Sequence, residues 1–306
     1  MIAGGFLDSD NRLNIVLPML PGVIAAAIKK SISIGNRFEE IRLRRGMPVG
    51  VTSGAKSLFL LSTGRLSATH ENAVICSSDE FEYTALKICD NSVFAHTKEI
   101  ESGYISVCGG IRVGVCGDFS PTISGITSLN IRIPRQVKGC ADEALSYFSG
   151  GMLLAGAPGS GKTTMLRDLI RKLSEEGYRI SVIDSRREIS GGTEKGFDLG
   201  PNTDVSFLSD KAFGATCALK TMFPQIIAFD EIGSSSEVKS ILEAFNSGVY
   251  ILTTAHAANL TELTKREVTK TLIDSGVLKN IVLLSENIGE APQVYSIEEI
   301  NNEYDY

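Results

Sequence analysis

The chain contains Gly156-Ala157-Pro158-Gly159-Ser160-Gly161-Lys162-Thr163, and this stretch decides how the rest of the sequence is interpreted. It matches G-x-x-x-x-G-K-[S/T] at every fixed position, with an apolar run before it and a helical segment, residues 163–173, after it. Glycines let backbone N–H groups curl around a phosphate, and the helix that follows adds the positive end of its dipole. The stretch therefore predicts a loop that binds a nucleoside triphosphate.

The side chains of this loop suggest separate roles in binding ATP and Mg²⁺. Lys162 is expected to neutralise oxygens of the β- and γ-phosphates, and the Thr163 hydroxyl to ligate Mg²⁺. Thr164 opens the helix beside them and completes the predicted nucleotide-binding stretch, residues 156–164. The motif indicates a triphosphate, but it does not indicate how the energy of the nucleotide is used.

Short apolar runs alternate with helical segments in the C-terminal half. The runs cover residues 152–155, 180–183, 226–229 and 249–252. Continuous apolar runs are typical of strands in a parallel sheet that helices cover on both faces. We therefore predict an α/β fold in which residues 151–306 form a P-loop domain with a parallel sheet and an acidic C-terminal tail.

The N-terminal half has a different pattern, rich in strands with short helices. In residues 40–45, Ile41 and Leu43 alternate with arginines, as in a strand with one buried face. Gly109-Gly110 is expected to turn a hairpin, because such a turn needs positive φ angles. This pattern predicts a smaller α/β domain in residues 1–136, followed by a linker in residues 137–150.

Acidic residues and a histidine follow the predicted strands of the C-terminal half. Asp230 and Glu231 come directly after residues 226–229, where Asp230 can hold the water shell of Mg²⁺ and Glu231 can polarise the attacking water. Glu188 follows residues 180–183 and is a second candidate for water activation. His256 follows residues 249–252, where it could sense the γ-phosphate. The carboxyl ends of parallel strands meet at one edge of a sheet, so these side chains are expected to lie at the ligand.

Composition narrows the class of protein. Among 306 residues, 30 are Lys or Arg and 36 are Asp or Glu, for a net charge of −6. Six acids and no basic residue follow Lys279, so the rest of the chain holds 30 charges of each sign, and this balance disfavours a dedicated nucleic-acid binder.

No apolar stretch reaches the roughly 20 residues that span a bilayer, and a cytoplasmic protein is expected. The six cysteines show no zinc-binding spacing, and we expect buried thiols.

Several sequence motifs resemble those of known families. RecA-like ATPases of the type II and type IV secretion and pilus class have a similar series of motifs in the same order. In this chain the series is the phosphate loop (residues 156–163), the acids at 184 and 188, Asp230-Glu231-Ile-Gly233 and Thr254-Ala-His256. Residues 40–49 and 128–139 resemble the stage III sporulation protein AA family, and the similarity runs from about residue 12 to 290. The resemblance implies a RecA-like ATPase that acts as a homo-hexamer with membrane-embedded components of a channel between mother cell and forespore.

The resemblance also implies that an arginine of the N-terminal domain reaches the nucleotide. Arg132 and Arg135 are the matching positions, and they need not share a face of the strand that ends at Pro134. Related acid boxes read Asp-Glu-Arg-x-Glu, whereas this chain has Ser185 at the second position, which could slow hydrolysis. Because Glu231 is intact, we still expect ATP hydrolysis, on the mother-cell side of the membrane and attached to it through partners.

Three alternatives remain open on the sequence. The chain could be a pilus or type II secretion motor, because the ATPase core alone does not separate the two. It could be a nucleotide-binding scaffold that scarcely hydrolyses ATP, which Ser185 favours. A nucleic-acid translocase is the third, and the balanced charge of the chain argues against it.

Overall fold

A computed structural model describes residues 10–54, 56–118, 125–192, 196–233, 235–285 and 290–304. The chain divides into two compact units, the first built mainly from residues up to Arg135 and the second from Gln136 onward. Each unit has its own apolar core.

The first unit is built on an antiparallel sheet. Its strands are β1 (Glu40–Arg44), β2 (Met47–Pro48), β3 (Gly50–Ser53), β4 (Lys56–Leu60), β5 (Leu66–Ser67), β6 (Ile75–Cys76), β7 (Tyr104–Val107), β8 (Ile111–Gly117) and β9 (Ile126–Arg132). Its helices are α1 (Asp10–Val16), α2 (Gly22–Ser33), α3 (Ser78–Ile88) and α4 (Thr97–Glu101), with 3₁₀ turns at Leu17–Met19, Val93–His96 and Cys108–Gly110. Over the described residues the main sheet has the order β5-β4-β3-β1-β9-β8-β7, and β2 pairs with β6 separately.

Side-chain alternation explains how this sheet forms its core. Ile41 and Leu43 are fully buried, while Arg42 and Arg44 between them are exposed on the other face, which confirms the predicted strand. The predicted hairpin is also confirmed, because β7 and β8 are joined at Cys108–Gly110, where both glycines have a φ of 74°. Helix α3 begins with a capping box, in which Ser77 and Glu80 satisfy each other's backbone N–H groups.

The second unit is built on a mostly parallel sheet. Its strands are β10 (Met152–Gly156), β11 (Ile180–Ile183), β12 (Thr203–Ser206), β13 (Ile226–Phe229), β14 (Tyr250–His256), β15 (Asn280–Leu283) and β16 (Gln293–Ser296). Its helices are α5 (Asp142–Ser146), α6 (Lys162–Glu175), α7 (Lys211–Thr221), α8 (Ser235–Asn246), α9 (Leu260–Lys265), α10 (Glu267–Asp274) and α11 (Ile297–Tyr304). Across the described ranges the order is β12-β11-β13-β14-β10-β15-β16, and β16 alone runs antiparallel to its neighbour.

Both faces of this sheet are covered, as the apolar runs predict. In β10, Leu153 belongs to the core on one face, and Met152 and Leu154 belong to the core on the other. The α/β fold with a parallel sheet is therefore confirmed. Three strands of this sheet, β12, β15 and β16, were not predicted from the sequence. Strands β12 and β16 lie at the sheet edges, where half-exposed strands carry polar residues instead of continuous apolar runs. Strand β15 lies inside the sheet, but it has only three buried apolar residues, 281–283, after Asn280.

The interval predicted as a linker, residues 137–150, packs onto the second unit. Ala141 and Ala144 are buried in the core that α6 helps to form. The fully buried carboxylate of Asp168 in α6 accepts hydrogen bonds from the backbone N–H groups of Gly139 (2.8 Å) and Ala141 (3.0 Å). A buried carboxylate needs such donors, so this interval is held against α6 instead of forming a free connection.

The acidic C-terminal part of the chain includes a packed helix. Ile297 and Ile300 of α11 are buried in the core of the second unit, while Glu298 and Glu299 lie in its first turn. Of the six acids that follow Lys279, Glu286 lies outside the described residues, as does Asp305. No helix of the described ranges is both long enough and apolar enough to cross a membrane.

The cysteines are less uniformly buried than we expected from the sequence. Cys76 and Cys89 are buried, but Cys108 and Cys116 are exposed, so the expectation of buried thiols is wrong for these two. Cys108 lies in the turn between β7 and β8, and Cys116 lies in β8 directly after the buried Val115, so its side chain is on the exposed face of that strand.

We expect Cys108 and Cys116 to react with a disulfide reagent in the folded protein at pH 8. Burial raises the pKa of Cys76 and of Cys89 to about 11, so less thiolate is present and these thiols should react roughly two orders of magnitude more slowly. The measurement is the time course of thiol release, with a Cys108→Ser/Cys116→Ser variant as control. A fast phase of undiminished amplitude in this variant would contradict the expectation.

Candidate functional site

The phosphate loop connects β10 to α6 in the predicted way. Strand β10 ends at Gly156 and α6 begins at Lys162. Gly159 and Gly161 have φ angles of 81° and 96°, in the left-handed region that glycine adopts without steric cost. A Cβ atom on Gly156 would lie 2.5 Å from the Ser160 hydroxyl, so the loop as folded requires glycine at that position.

Lys162 lies inside the loop with its ammonium group against the backbone. Its Nζ donates to the carbonyl oxygens of Gly156 (2.8 Å) and Ala157 (2.7 Å), and the residue is only 6% exposed. Burial lowers the pKa of Lys162, while Asp230 and Glu231 oppose this shift. The loop therefore holds a buried cation next to two carboxylates, and a polyphosphate would supply the acceptors that such a cation favours.

The remaining side chains of the loop fit ATP and Mg²⁺. The Ser160 hydroxyl is buried and has no hydrogen-bond partner among the described residues, and a phosphate oxygen would satisfy it. The Thr163 hydroxyl lies 3.3 Å from each carboxylate oxygen of Asp230. In the described part of the chain no cluster of three His, Cys, Asp or Glu side chains could hold a metal alone. A hydroxyl and a carboxylate, completed by phosphate oxygens and water, match the preference of Mg²⁺.

Thr254 connects the two acids that follow β13. Its hydroxyl donates to Asp230 Oδ1 (2.9 Å) and accepts from the backbone N–H of Glu231 (2.9 Å). Thr254 is buried in β14, the strand beside β13. Thr254 was part of a predicted motif without a role of its own, and the available signal was a pair of adjacent threonines, Thr253 and Thr254, in a buried strand.

Glu231 occupies a strained position at the end of β13. Its φ is 48°, a left-handed conformation that costs a residue with a Cβ atom roughly 1–2 kcal/mol. Its carboxylate is 41% exposed and lies 3.8 Å from His256 Nε2 and 4.0 Å from an Arg186 guanidinium nitrogen. Strain of this kind persists where surrounding contacts enforce it, often at functional sites. The carboxylate can therefore reach solvent while its backbone is held in place.

His256 lies beside the first glycine of the phosphate loop. In the pairing of β10 with β14 it stands opposite Gly156, at the carboxyl end of both strands. Its Nδ1 atom is buried and has no hydrogen-bond partner within the described residues. His256 therefore lies at the end of its strand, 3.8 Å from the Glu231 carboxylate, and its role as a γ-phosphate sensor stays a prediction.

The two acids that follow β11, Asp184 and Glu188, have different surroundings. Asp184 is 1% exposed, and its carboxylate accepts from the backbone N–H groups of residues 188, 189 and 190 and from the Ser190 hydroxyl. It therefore closes its own loop, because its acceptor sites are occupied by donors within six residues. Glu188 is half-buried, its N–H donates to Asp184, and its carbonyl accepts from Arg167 (3.2 Å). A catalytic role for Glu188 stays a prediction.

Arg132 and Arg135 lie in the first unit, each beside an acid. Arg132 is 3.5 Å from Glu40, and Arg135 is 3.4 Å from Glu39. The side chain of Arg132 is 65% exposed and that of Arg135 is 32% exposed. Exposed ion pairs contribute little to stability, so the Arg132 pair does not by itself fix its side chain. The two arginines therefore have unequal surroundings, while a contact with nucleotide stays a prediction.

Solved structures with this architecture define the class of the fold. The ATPase DotB from Legionella pneumophila has a TM-score of 0.60 at 18% identity, covering 94% of this chain and 85% of that chain. The pilus retraction motor PilT with bound ADP has a TM-score of 0.57 at 18% identity, covering 87% and 80%. The protein has the fold of RecA-like secretion ATPases, as the resemblance implied.

Sequence comparison identifies the particular family. The family described as "Sporulation stage III, protein AA" matches residues 10–303. Stage III sporulation protein AA of Bacillus subtilis (strain 168) is 30% identical over 279 residues, which are 84% of this chain and 86% of that protein. The chain belongs to the stage III sporulation protein AA family.

Proposed function

We propose that the protein is an Mg²⁺-dependent ATPase that couples ATP hydrolysis to assembly of, or transport through, a channel complex between mother cell and forespore. One observation carries the ATPase assignment: Lys162, Thr163, Asp230 and Glu231 converge at the carboxyl ends of β10 and β13. These are the groups that phosphoryl transfer to water needs, namely a cation for the phosphates, a metal site and a base.

Each residue has a distinct task in the proposed reaction. The backbone N–H groups of residues 159–163 and the Lys162 ammonium bind and orient the β- and γ-phosphates. Thr163 and Asp230 would hold Mg²⁺, which supplies charge stabilisation when bound. Glu231 accepts a hydrogen bond from the attacking water and takes its proton as the water attacks. His256, 3.8 Å from the carboxylate of Glu231, would sense the γ-phosphate from the end of β14.

The biological setting of the proposal follows from family membership. Membrane-embedded components of the sporulation channel complex are the proposed partners, together with further copies of the chain in a homo-hexamer. The protein would then work on the mother-cell side, at the membrane through its partners. No nucleic-acid partner is proposed, which agrees with the charge balance of residues 1–285.

Phosphate release tests the activity directly. The purified full chain is incubated with ATP in the presence and absence of Mg²⁺, and a Lys162→Ala variant purified in parallel measures contaminating ATPases. We expect Mg²⁺-dependent release from the wild-type chain alone. Tight ATP binding without release would favour the nucleotide-binding scaffold, in line with Ser185 and with the fully bonded Asp184.

Assembly gives a second expected result. Native mass measured with ATP and Mg²⁺ should show a species six times the 32.8 kDa chain, and removal of nucleotide should reduce its population. Nucleotide that binds only the assembled form shifts the equilibrium toward it by mass action. A single-chain mass under both conditions, at concentrations that saturate the site, would contradict the ring.

Separate replacement of Arg132 and Arg135 by alanine should have unequal effects. We expect Arg132→Ala to lower turnover by about 10³–10⁵, the range for an arginine that stabilises charge developing during transfer, with near-normal ATP affinity. Arg132 is favoured because its side chain is the more exposed of the two. Normal turnover in both variants would exclude them and direct the search to Arg112 or to another chain.

A further inference from the structure

A lysine at the start of α7 binds the turn that carries Glu231. Lys211 is the first residue of α7, and its ammonium group donates to the carbonyl oxygens of Asp230 (2.8 Å) and Glu231. The same ammonium group lies 3.6 Å from Glu237 Oε1 in α8. Glu237 in turn accepts a hydrogen bond from the backbone N–H of Gly233 (2.8 Å). Lys211 and Glu237 together bind both ends of the turn, residues 230–233.

Lys211 complements the contact that Thr254 makes on the other side of Glu231. The Thr254 hydroxyl accepts a hydrogen bond from the backbone N–H of Glu231, and the Lys211 ammonium donates one to the backbone carbonyl oxygen of Glu231. Both polar groups of the Glu231 backbone are therefore bound to side chains from different elements, β14 and α7. Since φ of Glu231 is 48°, these contacts oppose relaxation of the backbone to an ordinary conformation. The direction in which the carboxylate leaves the backbone depends on that conformation.

The surroundings of the Lys211 ammonium argue against a direct contact with nucleotide. An ammonium group has three N–H donors, and three acceptors surround this one within 3.6 Å: two carbonyl oxygens and the Glu237 carboxylate. The Lys211 side chain is 16% exposed, and its charge is balanced by that carboxylate. The Lys162 ammonium has a different environment, because its acceptors are two carbonyl oxygens of the phosphate loop, where a nucleotide phosphate would lie.

We propose that Lys211 is a positioning residue, which holds the Asp230–Glu231 turn so that the Glu231 carboxylate meets the attacking water. This inference rests on the proposed ATPase function and extends it to a residue outside the phosphate loop and the strand ends. Lys211 acts on the rate of the chemical step through Glu231, and leaves nucleotide binding to the loop.

Steady-state kinetics of Lys211→Met test this role. Methionine keeps most of the side-chain length and removes the charge and the donors. We expect kcat to fall by roughly 10²-fold, the effect of about 1 Å of misplacement of a catalytic group, while KM and the affinity for ATP change less than about twofold. Lys220→Met, at the exposed opposite end of α7, is the matched control and should behave as wild type. Lys211→Arg should restore part of kcat.

A double variant shows whether Lys211 acts through Glu231. In a Glu231→Gln background, Lys211→Met should cause no further loss of turnover, because a positioning residue has nothing left to position. Additive losses would overturn the proposal. A fall in ATP affinity with unchanged kcat would also overturn it, since Lys211 would then contact the nucleotide.

Hydrogen–deuterium exchange separates this inference from the proposed function. Exchange in the peptide that covers residues 230–233 needs no turnover, and it should be faster in Lys211→Met than in Lys220→Met. Glu237→Gln, which keeps both carbonyl contacts of Lys211, serves as a milder variant if Lys211→Met does not fold, and it should accelerate exchange to a smaller extent. If the wild-type chain releases no phosphate, the proposed function fails while exchange still decides whether Lys211 holds the turn. Exchange at the wild-type rate in both Lys211→Met and Glu237→Gln would overturn the role of Lys211.

Discussion

Replacement of Lys162 by alanine is expected to abolish productive binding of ATP. The Lys162 ammonium is the side-chain cation of the phosphate loop, and it lies buried against the Gly156 and Ala157 carbonyl oxygens. Removal of one partner from a buried charge pair costs about 2–5 kcal/mol, so the affinity should fall by roughly two orders of magnitude or more. Calorimetric titration with ATP and Mg²⁺ measures this change.

The control for Lys162→Ala is Lys270→Ala, which removes an exposed lysine from α10 and should bind ATP as the wild type does. Thermal unfolding of both variants shows whether the loop variant keeps its fold, since the truncation leaves two carbonyl oxygens without their donor. Unchanged affinity in a folded Lys162→Ala protein would refute the assignment of residues 156–163 as the nucleotide loop.

Replacement of Glu231 by glutamine should leave ATP binding intact and remove turnover. The amide is nearly isosteric and keeps hydrogen-bonding groups, but it cannot take a proton from water as a carboxylate does. Phosphate release should drop by roughly two to four orders of magnitude, the usual contribution of a general base. Backbone contacts from Thr254 and Lys211 do not involve the replaced atoms, so the turn should keep its conformation.

Two measurements make the Glu231→Gln result specific. ATP affinity, measured in parallel, should stay within about twofold of wild type, and Glu243→Gln, an exposed change in α8, should leave turnover unaffected. Wild-type-like phosphate release from Glu231→Gln would show that another group activates the water, and Glu188 would be the next residue to test.

The phosphate loop and the parallel sheet could be predicted because each is encoded over a few consecutive residues. The loop needs glycines, one lysine and one hydroxyl at set spacings, and it needs a strand before it and a helix after it. Strands covered on both faces are continuous apolar runs, which is why residues 152–155 and 226–229 were recognisable. Asp230 and Glu231 could be chosen for the same reason, since they follow such a run directly.

The hydrogen-bond partners of the Asp184 carboxylate could not be predicted, although the position of Asp184 after a strand was correct. An acid at a strand end is able either to face a ligand or to bond its own loop, and both options have the same sequence pattern. The loop here folds back so that residues 188–190 present their N–H groups to the carboxylate. Backbone conformation, with a φ of 56° at Arg187, decides between the two, and residue types alone do not specify it.

The sequence by itself therefore determined the glycine-rich loop between β10 and α6, the acids after β13 and the class of fold, because these features depend on neighbouring residues. The tertiary structure alone decided which side chains hold Glu231. Thr254 is 23 residues and Lys211 is 20 residues from Glu231 in the chain. Both contact Glu231 only because β13 lies beside β14 and α7 begins near the same edge of the sheet. Strand order and helix docking arise from the packing of the whole core, so contacts of this kind have no local signature in the sequence.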